Sequence, residues 1–438
     1  MICYKQLELG LYILVAEIVL GGAGGRWLEY PLGLSVRILF LVIFFIVWIL
    51  KLQKRQIKFN FKNKKLFYVI LILSLGYPLF FGIFMHFLHP KNLAYLINDA
   101  NGWVFYLIFL PMASIINTRE KLWNLIKIYF VSILAIGVIL TLIYFASALQ
   151  ILNIWVVQNF LLEKGLKMGG KVGIMPDDAL RVFLGSSIFL PFGLFMVLSL
   201  KNKLIEAGQK MHSLFFQVWK ILAILFLYFS LIASYTRGIW IGSLLGLIFF
   251  LFWNDWKSRI KIFTGLVLLI LMTQIIFQQV FHTSFFNTFL GRITSSVSIE
   301  KDPVSVGARI SQIHILAKQI LKHPFFGTGF GTVIADYREK VDAPFSFELG
   351  YLDMVLKFGI VGFAFWGLFI LYLIFEALQI LWFNFQINKS EKMLIVSLLT
   401  SVLVLLFVSG TSPFISAGFG ILQILLLMIV IQVLGKSR

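Results

Sequence analysis

One cysteine, Cys3, is present in 438 residues, which excludes an intrachain disulfide and a thiolate metal site. Charge is scarce too: charged side chains make up 13% of the chain, where soluble domains carry roughly 25%. With 60% hydrophobic residues and a mean hydropathy of +0.94, the chain holds more apolar surface than a water-soluble core could bury. Lipid must therefore be the solvent for most of it. No halves repeat, parallel or inverted, and no spans broken by Gly or Pro stand in matching positions, which weakens a transporter reading. The first apolar run lacks a basic n-region and a small-residue cleavage site, so no cleavable signal peptide is expected.

What is present is a succession of apolar runs. A span needs about 20 apolar residues to cross ~30 Å of hydrocarbon. Runs near 9–22, 32–50, 66–88, 102–116, 122–149, 180–200, 218–234, 239–253, 262–280, 351–381, 393–408 and 417–434 meet or approach that need. The expected fold is an all-α polytopic membrane protein, one integral domain over 1–438, with about twelve transmembrane helices and both termini on one side.

The formal charge of +19 would suggest nucleic acid in a soluble protein, but its distribution points to the membrane. Basic clusters at Lys51–Lys65, Arg119 and Lys121, Lys201–Lys210, Lys257–Lys261, Lys389 and Lys392, and Lys436 and Arg438 alternate with the spans. The positive-inside rule makes those loops and both termini cytoplasmic. The opposite loops, 27–30, 89–101, 151–178, 234–238, 281–350 and 409–416, are then outside, and they are not poor in cations. Either long loops translocate regardless of charge, or an anionic ligand sits on the outer face.

Three places stand out before the long loop. Glu17 and Arg37 lie inside apolar spans, where an unpaired charge costs at least ~2.5 kcal/mol; they pair with each other, or Arg37 faces a polar cavity opening outward. Asp177 and Asp178 read as a helix N-cap more readily than as a metal site. Ser234-Tyr235-Thr236-Arg237-Gly238 joins two spans with almost no loop. Its arginine either snorkels or meets a phosphate, whose oxygens match the planar guanidinium fork.

The loop 281–350, between spans 9 and 10, gathers Arg292, Arg309, Arg338, His282, His314, His323 and Glu348. Asp302-Pro303 starts a helix. Val306, Ile310, Ile313, Ala317 and Ile320 form its apolar stripe along the membrane surface, leaving Arg309, Gln312 and Lys318 for solvent or ligand. His323-Pro324 ends it, and a second amphipathic segment is expected over 332–340. Gly327-x-Gly329-x-Gly331 is weak evidence for phosphate binding, since no strand precedes it. Glu348 falls at the re-entry into the bilayer, and Asp353 and Lys357, four residues apart, can pair along the helix.

Ser234-x-Thr236-Arg237-Gly238, His323-Pro324-x-x-Gly327-x-Gly329, and Tyr351-Leu352 followed by Gly359-Ile360-Val361-Gly362, in this order, resemble the motifs of the O-antigen ligase and O-antigen polymerase superfamily of bacterial membrane glycosyltransferases. The resemblance covers about 230–365; the first half matches only as a multi-span chain. It implies a glycan on undecaprenyl diphosphate as donor, with membrane lipid around it and room for a co-polymerase or chain-length regulator as partner. It also implies an active site on the outer face of the cytoplasmic (inner) membrane, and no metal or cofactor.

Counting back from Gly362 and Gly359, Glu348 stands where ligases of the family carry His, which looks more like the repeat-unit polymerases. Arg237 is carried over as a diphosphate contact and Glu348 as base or sugar anchor. Arg309, Arg338 and Arg181 join them as further cations, with His323, Arg37 and Arg292 in reserve. The expected function is polymerisation of lipid-linked repeat units; the alternatives are ligation to lipid A core or protein, and, from another class, a flippase or exporter. The near absence of charge in the inner half of the spans, Glu376 apart, argues against the last.

Overall fold

The computed structural model describes residues 6–22, 36–57, 65–88, 92–163, 169–175, 179–200, 210–280, 282–294, 306–334, 337 and 344–435. In chain order the helices are α1 (Leu7–Leu20), α2 (Val36–Gln53), α3 (Lys65–Leu88), α4 (Leu93–Val104), α5 (Phe109–Ile115), α6 (Arg119–Ala148) and α7 (Ile154–Gln158). After a two-stranded hairpin follow α8 (Leu190–Ser199), α9 (Lys210–Ala233), α10 (Arg237–Phe252), α11 (Trp256–Val280), α12 (Phe285–Thr294) and α13 (Ala308–Ile320). The last three are α14 (Gly350–Phe383), α15 (Lys389–Ser409) and α16 (Gly418–Leu434).

Among the described residues, seven stretches are long and apolar enough to cross a membrane, and three shorter apolar helices, Gly185–Ser199, Arg237–Phe252 and Gly418–Leu434, accompany them. The chain is thus an essentially all-helical, multi-pass membrane protein, while the count of twelve spans remains an expectation from the sequence.

The bundle is built around α16. Its sequence is apolar all round, and a helix of that kind must be surrounded rather than half-exposed. Fifteen of its residues are buried, enclosed by α1, α5, α6, α14 and α15. Of its two glutamines, Gln423 is bonded at both ends of its amide: the nitrogen donates to the Ile188 carbonyl at 2.8 Å and the oxygen accepts from Ser401 at 2.9 Å. At the far edge α11 is mostly exposed, as expected of a helix facing lipid.

Close packing needs small residues, because helices in lipid associate through van der Waals fit. α10 presents Gly238, Gly242 and Gly246, one every four residues, to α15. A Cβ on Gly246 would come within 2.7 Å of Val404 and 3.0 Å of Thr400. At the basic end of the bundle, ion pairs Glu8–Lys121 (3.2 Å), Arg119–Glu391 (3.2 Å) and Lys389–Asp255 (3.5 Å) tie helix termini together.

Three expectations need correction. The run 180–200 does not enter as helix: Gly170–Ile174 and Leu180–Leu184 pair antiparallel as β1 and β2, with Gly170 opposite Leu184. Leu180, Val182 and Leu184 are buried while Arg181 and Phe183 are only partly so, a period of two that a strand requires. The expected loop 89–101 is helical from Leu93, because the Asn92 side chain accepts the Ala94 N–H at 2.9 Å as an N-cap. Tyr337, in the expected second amphipathic helix, instead makes an isolated antiparallel bridge with Ile334. Asp177, Asp178 and the Asp302-Pro303 helix start lie outside the described residues.

Replacing Gly246 by Val should overpack the α10–α15 seam and cost about 1–3 kcal/mol. Thermal unfolding of the detergent-purified protein checks this. Gly265→Ala, whose added methyl meets nothing within 4 Å, should not lower the midpoint, since Ala favours a helix over Gly; equal midpoints for both variants would mean the seam is not tight.

Candidate functional site

The loop end of the bundle is organised by a break in α14. Gly359 sits at φ 67°, ψ −178° inside this helix, a conformation that strongly favours glycine, and the broken turn strands backbone groups on both sides. The segment 323–331 supplies their partners. Thr328 N–H donates to the Leu356 carbonyl at 2.8 Å and Gly329 N–H to that of Lys357 at 2.9 Å, while Ile360 N–H donates to Pro324 at 2.8 Å. A Cβ at Gly327 would lie 2.5 Å from the backbone of Lys357 and Gly359.

The glycine motif is therefore a clamp on a broken helix. Its N–H groups are engaged within the protein: Gly327 to the His323 carbonyl at 3.0 Å, Gly329 as above, and Gly331 to Asp99 at 2.8 Å. It offers no phosphate cradle, and His323, itself exposed, serves the clamp through its backbone.

Four of the arginines singled out in the sequence converge nearby. Arg181 on β2 donates from Nε to the Ser234 carbonyl at 3.1 Å and from its terminal nitrogen to Thr236 Oγ1 at 3.0 Å. It is thereby fixed to the turn between α9 and α10. Tyr235, at the apex of that turn with φ 46°, carries the Arg292 guanidinium over its ring at 4.5 Å. α12 is held in place by Phe289 stacked on Trp240 at 5.4 Å.

Burial, together with the fields of Arg292, Arg237 and Arg309, lowers the Arg181 pKa to about 10. Cations are thus held close enough to repel one another, a cost that a bound anion would relieve. Glu348 approaches from the other side, its Oε2 lying 3.6 Å from Arg309 Nε. Its carboxylate is 42% exposed, open to anything that enters the site.

α13 reaches this place differently from the expectation. Ile310 and Ile313 are exposed, as a lipid-facing stripe would be, but Gln312 is 3% exposed rather than free. It accepts the Leu349 N–H at 3.0 Å and donates to Tyr337 Oη at 3.3 Å, so one buried amide fixes the chain beside Glu348. A solvent-facing position off an apolar stripe and a buried polar strut look alike by periodicity alone. Arg338 lies outside the described residues.

The expected Asp353–Lys357 pair is part of a larger buried group. Lys357 Nζ is 2.8 Å from both Asp353 Oδ2 and Asp99 Oδ1, with the lysine and Asp353 side chains 3% and 2% exposed. The pairing of Asp353 with Lys357 was legible as i, i+4; its third member was not, because Asp99 comes from α4. Arg37 pairs as expected, its Nε 2.6 Å from Glu17 Oε2, and it also lines a cavity of about 330 Å³ with Asp99 and Asp353.

Compared with known proteins, residues 221–367 match the family model described as O-antigen ligase. No curated protein matches the chain.

Lys357→Met should leave two buried carboxylates uncompensated and cost about 3–5 kcal/mol. Thermal unfolding would show a drop far beyond that of Arg309→Gln at the partly exposed Arg309–Glu348 pair, worth about 0–1 kcal/mol. Comparable losses for the two variants would contradict a buried ionic triad.

Proposed function

From the match of residues 221–367 to the O-antigen ligase family model, we propose that this chain polymerises lipid-linked oligosaccharide repeat units on the outer face of the cytoplasmic membrane. The observation that carries the reading is the convergence of Arg181, Arg237, Arg292 and Arg309 beside Glu348. Guanidinium forks match diphosphate oxygens, and the repulsion that Arg181 feels from the other three raises the gain from binding an anion there.

In this scheme a hydroxyl of the acceptor glycan attacks the anomeric carbon of the donor sugar. The new C–O bond forms as the bond from that carbon to the carrier diphosphate breaks, and the diphosphate leaves with the electron pair. The arginines stabilise the charge that grows on the leaving oxygen. Glu348 takes the hydroxyl proton or orients the sugar hydroxyls, and its exposure makes it reachable for either task. The basic residues Arg119, Lys121, Lys257, Arg259, Lys261, Lys389 and Lys392, which gather in sequence near helix termini, support an outer-face site through the positive-inside rule.

Cells lacking the protein, complemented with wild type, Arg237→Ala or Glu348→Gln, provide the test. Wild type should restore a polysaccharide ladder where the null strain shows the acceptor with a single repeat. Arg237→Ala should reduce polymer synthesis roughly 10²–10³-fold, the usual cost of one contact to the developing charge. Polymer that accumulates on the carrier lipid in the null strain would instead identify a ligase. Full rescue by Arg237→Ala would remove the arginine from the site.

A further inference from the structure

The cavity beside the arginine cluster belongs to no step above. It is lined by Arg37, Asn98, Asp99, Asn101, Ser346 and Asp353 among its polar groups. Its apolar walls include the rings of Phe105, Phe345, Phe414 and Phe419. At about 330 Å³ it stands at the small end of the roughly 300–1,000 Å³ typical of small-molecule sites, with room for a sugar-sized ligand and not for a lipid chain.

Its hydrogen-bonding capacity is selective. Asp99 is consumed, one carboxylate oxygen by Lys357 Nζ at 2.8 Å and the other by the Gly331 N–H at 2.8 Å. Asp353 gives Oδ2 to the same lysine, while Oδ1 is buried without a hydrogen-bond partner. A buried acceptor left in that condition costs about 1–3 kcal/mol, more when it is charged, and a ligand hydroxyl would recover it. One open carboxylate oxygen is too little for a hard cation, which takes six or more oxygens, and it is what a single O–H donor needs.

Charge narrows the ligand further. Arg37 is neutralised by Glu17, and Lys357 faces two carboxylates, so the surroundings carry a slight negative excess and disfavour phosphate or a uronic acid. Amides, a hydroxyl and aromatic rings around one carboxylate suit a ring with hydroxyls on its edge and C–H groups on its faces. Ser346 lines this cavity while Glu348, two residues on, pairs with Arg309. One short strand of chain is thus a wall shared by the cavity and the arginine cluster.

We propose that this cavity is a subsite for an uncharged, hydroxyl-bearing sugar unit, held by a hydroxyl donated to Asp353 Oδ1. That this sugar is part of a glycan substrate rests on the function proposed above; that the cavity takes a sugar does not.

Saturation-transfer NMR on the full-length, detergent-purified protein tests it, with galactose, N-acetylglucosamine and glucuronate as separate probes. Transfer should reach the two neutral sugars and not glucuronate. Asn98→Phe, at an exposed helix position beside the cavity, should fill the space and abolish transfer while preserving the unfolding midpoint. Asp353→Asn should weaken binding roughly tenfold, the effect of one lost hydrogen bond to a charged acceptor.

No transfer to either neutral sugar, equal transfer in Asn98→Phe, or a preference for glucuronate would each overturn the proposal. Protection of the same samples by inorganic pyrophosphate, lost in Arg237→Ala, reports the arginine cluster separately. Failure there would strike the proposed function and leave the sugar result standing.

Discussion

The break at Gly359 is the constraint on which the loop end of this protein depends. In lipid or in a dry core, a backbone N–H or C=O without a partner costs about 2–7 kcal/mol, so a helix can break there only where something else completes its hydrogen bonds. The segment 324–329 does so from both sides of the break. Gly327, Gly329 and Gly359, all at positive φ, allow the two backbones to meet without a Cβ between them. The clamp holds α14 at residues 356–360, while the Gln312 amide holds Leu349 just ahead of its start, beside Glu348.

Two polar centres hang from that arrangement and differ in character. The arginine cluster is assembled from β2, the α9–α10 turn, α12 and α13, elements joined by contacts such as Arg181 to Ser234 and Arg292 over Tyr235. It is partly exposed and carries an excess of positive charge. The Asp99–Lys357–Asp353 group is buried, nearly balanced in charge, and linked to the clamp through the Gly331 N–H on Asp99. The first suits an anion arriving from solution or from a headgroup region, whereas the second suits a neutral ligand already stripped of water.

Glu348 has no single role imposed by its surroundings. Its side chain is 42% exposed and its Oε2 lies 3.6 Å from Arg309 Nε.

The apolar runs, the basic clusters between them, the Thr236-Arg237-Gly238 turn and the i, i+4 pair Asp353–Lys357 were determined by sequence alone. Each depends on neighbours a few residues apart, or on a solvent that sorts residues by polarity. The alternation of Leu180, Val182 and Leu184 was equally present, although the apolar content of 180–200 masked it. The tertiary structure decided the rest: that the glycine motif braces a helix rather than cradling phosphate, that Gln312 is a buried strut, that Asp99 completes a triad with Lys357, and that Arg37 both pairs with Glu17 and lines a cavity. Those outcomes depend on which elements meet across separations from 20 residues, for Glu17 and Arg37, to 258, for Asp99 and Lys357, and hydrogen-bond donors and acceptors are identical in a sequence whether their partners are water, ligand or a distant backbone.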